Sequence, residues 1–271
     1  FSRHKNTAKF SSISSPSLPS VSIVKMKGNP PYHKSKKNLS LEPNKFLLPE
    51  KLAKREDVTK YYKLSQNIIS YGATSLLYVG ENNKKDKFAV KRVLKSNIDK
   101  KQKMLIKEAE ICLKLKHKNI IRYYEIYEDN HFINIIMELA DTDLFELIVN
   151  SPNGIVPDYL AIDILIQIFE VIDFLHTKAN IIHSDLKPEN FVIKFDKTTK
   201  KIILKLIDFG NARCTGEGGK DKIFNFCGTK EYMAPEAFEL NGFNEKIDEW
   251  AACVIMFNML TGCDPFSGEN D

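Results

Sequence analysis

Residues 181–190 read IIHSDLKPEN, and no other stretch restricts the chain as much. One short loop carries a histidine, an aspartate, a lysine and an asparagine: His183, Asp185, Lys187 and Asn190. Eighteen residues past Asn190 comes LIDFG, with Asp208, Phe209 and Gly210. Moving a phosphoryl group off a nucleotide takes a carboxylate at the attacking hydroxyl, a cation on the group in transit and oxygen ligands for magnesium. These two segments together supply all three.

Composition sets outer bounds. A chain of 271 residues, 43% of them hydrophobic, can bury one large core or two modest ones. Its five cysteines lack metal-ligand spacing, which fits free thiols in a reducing compartment; a cytoplasmic location is expected, with the nucleus open. The most apolar stretch, residues 160–176, is broken by Asp163, Gln167, Glu170 and Asp173. It therefore reads as a buried amphipathic helix, and no run reaches the roughly 20 apolar residues that a membrane span needs. The net charge of +5 hides an asymmetry: residues 1–55 carry 12 Lys/Arg against 2 Asp/Glu, and the remainder carries 28 against 33. Residues 1–55 also hold six of the eleven prolines and no apolar periodicity. They are expected to form a disordered basic tail, either solvated or docking an anionic partner. The first residue is Phe1, so the natural N-terminus and any targeting signal are expected to lie upstream.

From Tyr61 the pattern changes. YYKLSQNIIS, SLLYVGEN and KFAVKRVL alternate apolar and polar residues and predict three antiparallel strands, the last two joined by a hairpin at 82–87. A helix is predicted over about 98–115, then strands at IIRYYEIYED and FINIIMEL. Further on, helices are predicted over 143–150 and 158–177, a strand pair around the turn 196–201, a mobile stretch over 211–227, and helices near Pro235 and over 248–260.

The catalytic-type loop and the DFG triplet, in this order and spacing, resemble the eukaryotic protein kinases. The resemblance covers residues 61–271 and implies an α+β, bilobal fold: a small lobe of five antiparallel strands plus one helix at 61–140, and a mainly helical, partial large lobe at 141–271. The implied cofactors are ATP and Mg2+, and the implied partner is a protein bearing a serine or threonine hydroxyl. On that resemblance, Asp185 orients the hydroxyl and takes its proton, Lys187 neutralises charge on the moving group, and Thr229 of GTKEYMAPE sits beside both. Asn190 and Asp208 hold the metal. Lys91 of FAVKRV meets the nucleotide phosphates, held by Glu108, which precedes His117 of the HKNI element by nine residues; Glu110 is the competing partner and faces elsewhere on the helix. In MELADTDL, Met137 guards the back of the adenine pocket, backbone groups of Glu138 and Ala140 bond its edge, and Asp143 reaches the ribose. Ala89 and Val192 enclose the base below Leu77. Lysine two residues after Asp185 resembles the serine/threonine branch, and LTGCDPFSG the calcium/calmodulin-dependent group, calcium-dependent kinases included. Asp248 is expected to cap the backbone of the HSD turn, and Trp250 to pack under the docking segment.

Three departures from the family pattern stand out. The glycine-rich loop, bounded by Ile69, runs Ser70-Tyr71-Gly72-Ala73-Thr74-Ser75, and only its middle glycine remains. Serine is small enough to keep the turn, and its hydroxyl can donate to phosphate. The arginine after the loop histidine is Ser184, and the usual phosphate-accepting position of the activation segment is Asn225. Receiver and acceptor are thus both replaced, so the segment is not expected to be switched by phosphorylation there, Thr215 being the lesser acceptor. Third, the arginine that pairs with Glu236 in the family is not found, so the chain is expected to be a fragment that unfolds easily by itself. A non-catalytic scaffold of the same fold is the main alternative function. An anion or nucleic-acid binder driven by the basic tail is the other, and it lacks regular aromatic interleaving for base stacking.

Overall fold

The computed structural model describes residues 47–72, 75–95, 102–196, 198–199, 201–215, 228–238 and 242–266. The alternating segments build one antiparallel sheet from β1 (Tyr62–Tyr71), β2 (Ser75–Asn82), β3 (Lys87–Leu94), β4 (Tyr123–Glu128) and β5 (Phe132–Met137). Their spatial order is β1-β2-β3-β5-β4. Lys91 lies at the centre, opposite Leu77 on β2 and Ile135 on β5. A bulge in β1 leaves Ile69 between the paired residues Ile68 and Ser70, which bends the strand next to the β1–β2 turn.

Helix α1 (Gln102–Lys114) is shorter than the predicted 98–115, and residues 96–101 lie outside the described residues. Leu105, Ala109 and Cys112 join Ala89, Val93, Ile133 and Ile135 in the core beneath the sheet. Glu108 belongs to the same buried helix face, where a carboxylate persists only with partners.

The remainder is built on helices, as the family resemblance implied. After β6 (Thr142–Asp143) come α2 (Leu144–Val149) and α3 (Asp158–Phe174). A π-turn over Leu175–Ala179 extends α3, and Asn180 ends it in the left-handed conformation. β7 (Ile181–Ile182) leads into the loop of interest, and β8 (Phe191–Phe195) pairs with β9 (Ile202–Leu206). β10 (Arg213–Cys214) then pairs back onto β7, so the start of the predicted mobile stretch is placed; its residues 216–227 lie outside the described residues. α4 (Lys246–Thr261) packs on α3, with Ala251, Ala252, Ile255 and Met259 in the core. The HKNI element ties the sheet to this part: Ile121 N–H donates to Leu206 (3.0 Å) and Leu206 N–H to Asn119 (2.8 Å). Among the described residues no helix is long and apolar enough to cross a membrane. α3 presents Tyr159, Ile162, Ile166 and Phe169 to solvent as an apolar stripe at helical spacing.

One boundary needs correction. Residues 47–55, assigned on composition to the disordered tail, are packed against the back of the sheet. Leu48 (1% exposed) and Ala53 enter the core, and Lys54 bridges Tyr127 of β4. The anchor is Glu128, whose buried carboxylate accepts from Leu48 N–H (3.1 Å), pairs with Lys95 (2.9 Å) and meets the Arg55 guanidinium. Arg55 also donates to the Leu48 carbonyl. Lys51 reaches Glu110 of α1 at 3.2 Å on the surface, so Glu110 does face away from Lys91. Residues 1–46 lie outside the described residues.

Removing one partner of a buried ion cluster leaves charge uncompensated, whereas an exposed pair contributes little. Glu128→Ala is therefore expected to destabilise the fold by about 3–5 kcal/mol, and Lys51→Ala by less than about 1 kcal/mol. Urea unfolding midpoints measure both, and equal effects would show that the strap is not anchored through Glu128.

Candidate active site

The loop 183–190 is held by one buried carboxylate. Asp248, in the first turn of α4 and 1% exposed, accepts from the backbone N–H of His183 (2.8 Å) and Ser184 (2.9 Å). His176 Nε2 lies 2.9 Å from the same carboxylate. The cap on the HSD turn was legible in the sequence; the histidine was not, because it stands 72 residues away. The turn needs this support. Ser184 has φ 66°, a conformation that a residue with a Cβ adopts only when its surroundings over-determine it. Gly228 (φ 115°) lies over it, and a Cβ there would sit 2.8 Å from the Ser184 carbonyl oxygen, so only glycine fits. Trp250 packs with Met233, Ala234 and Ala237, beneath the docking segment as expected.

The predicted chemistry-bearing side chains converge. Thr229 Oγ1 donates to Asp185 Oδ1 at 2.9 Å, and Lys187 Nζ donates to Thr229 Oγ1 at 2.9 Å. Lys187 Nζ stands 4.0 Å from Asp185 Oδ2. Asn211, which the sequence did not single out, brings its side-chain amide to 3.3 Å from that second oxygen. Asn190 is buried and donates its Nδ2 to the Asp185 carbonyl (2.8 Å), which fixes the amide's orientation and turns its Oδ1 the other way.

The DFG triplet lies alongside. β9 delivers it, since Ile207 N–H donates to the Asn190 carbonyl at 2.9 Å. Asp208 has φ 63°, and its Oδ1 accepts from Gly210 N–H (3.2 Å), leaving Oδ2 unengaged in that contact. Phe209 is fully buried and meets the His183 ring edge to face at 5.1 Å, so the triplet is wedged on the anchored loop. From the sheet, Lys91 Nζ reaches Glu108 Oε1 at 2.7 Å. Burial opposes charge on Lys91, but the carboxylates of Glu108 and Asp208 outweigh it and hold its pKa above the ordinary lysine value. Lys91 is thus electrostatically coupled to carboxylates from both parts of the chain. The Tyr123 hydroxyl donates to the same Glu108 oxygen at 3.0 Å, another contact that sequence pattern did not disclose.

The residues expected around adenine flank this cluster. Ala89 lies opposite Met137 across β3–β5, and Leu77 opposite Lys91 on β2. Val192 lies opposite Asp143 across β6–β8. Glu138 N–H donates to the Arg122 carbonyl (2.9 Å), so of its backbone only the carbonyl remains for a ligand. Its side chain pairs with Lys194 (2.7 Å) and Lys205 (2.9 Å); burial works against its charge, yet the two lysines hold its pKa below the usual carboxylate value. Ala140 is half-buried. Asp143, expected to reach the ribose, caps α2 through its Oδ1, which accepts from Glu146 N–H at 2.8 Å, and burial raises its pKa. Ser70 and Ser75 flank the β1–β2 turn, where Gly72 N–H donates to the Ser75 carbonyl (2.8 Å). Ala73, Thr74 and the replaced phosphate-acceptor position Asn225 lie outside the described residues. Thr215 is placed, and its hydroxyl donates to the Asn180 carbonyl at 3.2 Å.

This two-part arrangement defines a phosphotransferase-type cleft. A sequence signature for the protein kinase domain matches residues 62–271. Myosin light chain kinase A of Dictyostelium discoideum is 32% identical over 216 residues, 79% of this chain and 70% of that protein. Calcium/calmodulin-dependent protein kinase type 1 of Caenorhabditis briggsae is 30% identical over 76% of this chain and 56% of its own length. Calcium-dependent protein kinase 4 of Plasmodium falciparum is 35% identical over 68% of this chain, which spans 34% of that protein. The chain belongs to the protein kinase family, and its similarities fall among serine/threonine kinases.

The family implies ATP, as a rule with magnesium. Among the described residues no three His, Cys, Asp or Glu side chains gather as a metal cage. The Asn190 amide oxygen and the Asp208 carboxylate are oxygen donors of the kind a hard cation takes, and Lys91 is paired with Glu108 at 2.7 Å.

Asp248→Ala leaves two buried backbone donors without an acceptor, so an unfolding free energy lower by about 2–6 kcal/mol is expected. Asp248→Asn retains one acceptor oxygen and should lose less. Urea unfolding of both tests the anchor, and an alanine variant as stable as wild type would remove it from the account.

Proposed function

We propose that this chain transfers the γ-phosphoryl group of ATP to a serine or threonine hydroxyl of a protein substrate. The observation that supports this most is the continuous set Lys187–Thr229–Asp185, linked by 2.9 Å bonds, beside a formed Lys91–Glu108 pair that also senses Asp208. When bound, magnesium-ATP supplies the electrophilic phosphorus. Asp185 orients the acceptor hydroxyl and takes its proton at Oδ2, the oxygen not bonded to Thr229. Lys187 lies beside that oxygen and offsets charge on the transferring group. Lys91 fixes the phosphates, with Glu108 fixing Lys91. Asn190 and Asp208 supply the metal's protein ligands. Leu77, Ala89 and Val192 enclose the base, with Met137 behind it, and the Glu138 carbonyl and Ala140 N–H mark its edge.

A catalytically weak scaffold is the rival. It is favoured by the single glycine of the β1–β2 turn, whose N–H is already bonded to Ser75. Phosphate transfer from magnesium-ATP to a serine/threonine peptide separates the two. Asp185→Asn is expected to lower turnover by about 10²–10⁴-fold while nucleotide still binds. Absence of wild-type turnover, or an unaffected Asp185→Asn variant, would falsify the enzymatic assignment.

The same assignment holds that the domain acts without an activation-segment phosphate, because Ser184 offers no guanidinium to receive one. Ser184→Arg should leave turnover near wild type, with the unfolding midpoint showing that the variant folds. A large gain in turnover would contradict it.

A further inference from the structure

Glu108 is 5% exposed, and a single oxygen of its carboxylate, Oε1, receives two donors from two strands. One is Lys91 Nζ of β3 at 2.7 Å, and the other is the Tyr123 hydroxyl of β4 at 3.0 Å. Tyr123 is itself 7% exposed. Cys112, one helical turn after Glu108 and 2% exposed, lies close enough to exchange a hydrogen bond with the same phenol. Burial, and then the neighbouring Glu108 and Cys112, raise the Tyr123 pKa well above the ordinary phenol value, so the phenol keeps its proton and donates.

The two donors are not equivalent. Lys91 ends a flexible four-carbon stem and must also serve the phosphates. The tyrosine ring has only two side-chain torsions, and it is buried where its hydroxyl meets Glu108 of α1. Glu108 therefore keeps a fixed partner whatever Lys91 is doing. A buried carboxylate with a fixed donor does not swing out of the cleft without leaving that donor unpaired, which is costly in an apolar surrounding.

We propose that Tyr123 is a positioning residue: its hydroxyl holds Glu108, and with it α1, in the inward place that aims Lys91 at the nucleotide. The lock is built into the sheet and needs no covalent modification. This rests on the function proposed above, and it concerns how the same cleft is kept in its competent arrangement.

The test uses Tyr123→Phe, which keeps the ring and removes the hydroxyl, and Tyr123→Met, which removes both. Magnesium with a non-hydrolysable ATP analogue, titrated against the full chain, reads affinity without turnover. Both variants are expected to bind about tenfold more weakly and to lose about tenfold in kcat/KM for ATP, the scale of one hydrogen bond to a buried charge. KM for the peptide should stay unchanged. In a Glu108→Gln background, Tyr123→Phe should have no further effect, because its action runs through that carboxylate. Wild-type affinity in Tyr123→Phe, or an equal and additive loss with and without Glu108, would overturn the proposal. So would a loss in Tyr123→Met alone, which would assign the effect to ring shape. If wild type binds the analogue and transfers no phosphate, the enzymatic assignment fails, and the affinity arm still decides the role of Tyr123.

Discussion

The carboxylate of Asp248 is the point on which the cleft depends. Its two oxygens face the N–H groups of His183 and Ser184 and the ring of His176. The loop it holds is not a relaxed one: Ser184 is left-handed without being glycine, and the Gly228 backbone lies over it. Such a turn persists because α4, itself part of the core through Ala252 and Ile255, brings an acceptor to it. Everything downstream inherits this placement. His183 seats Phe209, Phe209 sets the position of Asp208, and Asp185 projects from the residue after the strained turn.

Chemistry in such a cleft needs groups from both halves of the chain. The sheet contributes Lys91, made useful by Glu108 on α1. The helical part contributes Asp185, Lys187, Asn190 and Asp208. The two sets meet where Lys91 feels the Asp208 carboxylate, and α1 packs on the turn that follows it. The chain joins the halves after β5, and the HKNI element ties them again through the Asn119–Leu206–Ile121 backbone bonds. The strap at 47–55 adds a clasp behind the sheet, reaching both β4 and α1.

Much of this was legible in the sequence because it rests on local pattern. Alternation marked the first three strands, and the kinase resemblance carried by the loop and the DFG triplet implied that Asp185, Lys187, Asn190 and Asp208 converge. What escaped has a common cause, since it depends on partners far apart along the chain. Residues 47–55 have the composition of a solvated tail, yet Leu48 and Ala53 bury because Glu128, 80 residues away from Leu48, gathers Arg55 and Lys95 around it. Tyr123 looks like any strand aromatic until Glu108 is placed beside it. Asp143 also caps the first turn of α2, a contact that the sequence reading did not name. Side-chain type was a good guide to what a residue could do, and a poor guide to which neighbour would engage it.

The central claim is that carboxylates and amines from the two halves surround one metal-bound triphosphate. The most direct measurement is the affinity of a non-hydrolysable ATP analogue with and without magnesium, for wild type and Asp208→Asn. The account predicts that magnesium tightens binding to the wild-type chain and that this gain disappears in Asp208→Asn. Binding that ignores magnesium in both proteins, or a gain that survives the substitution, would contradict it.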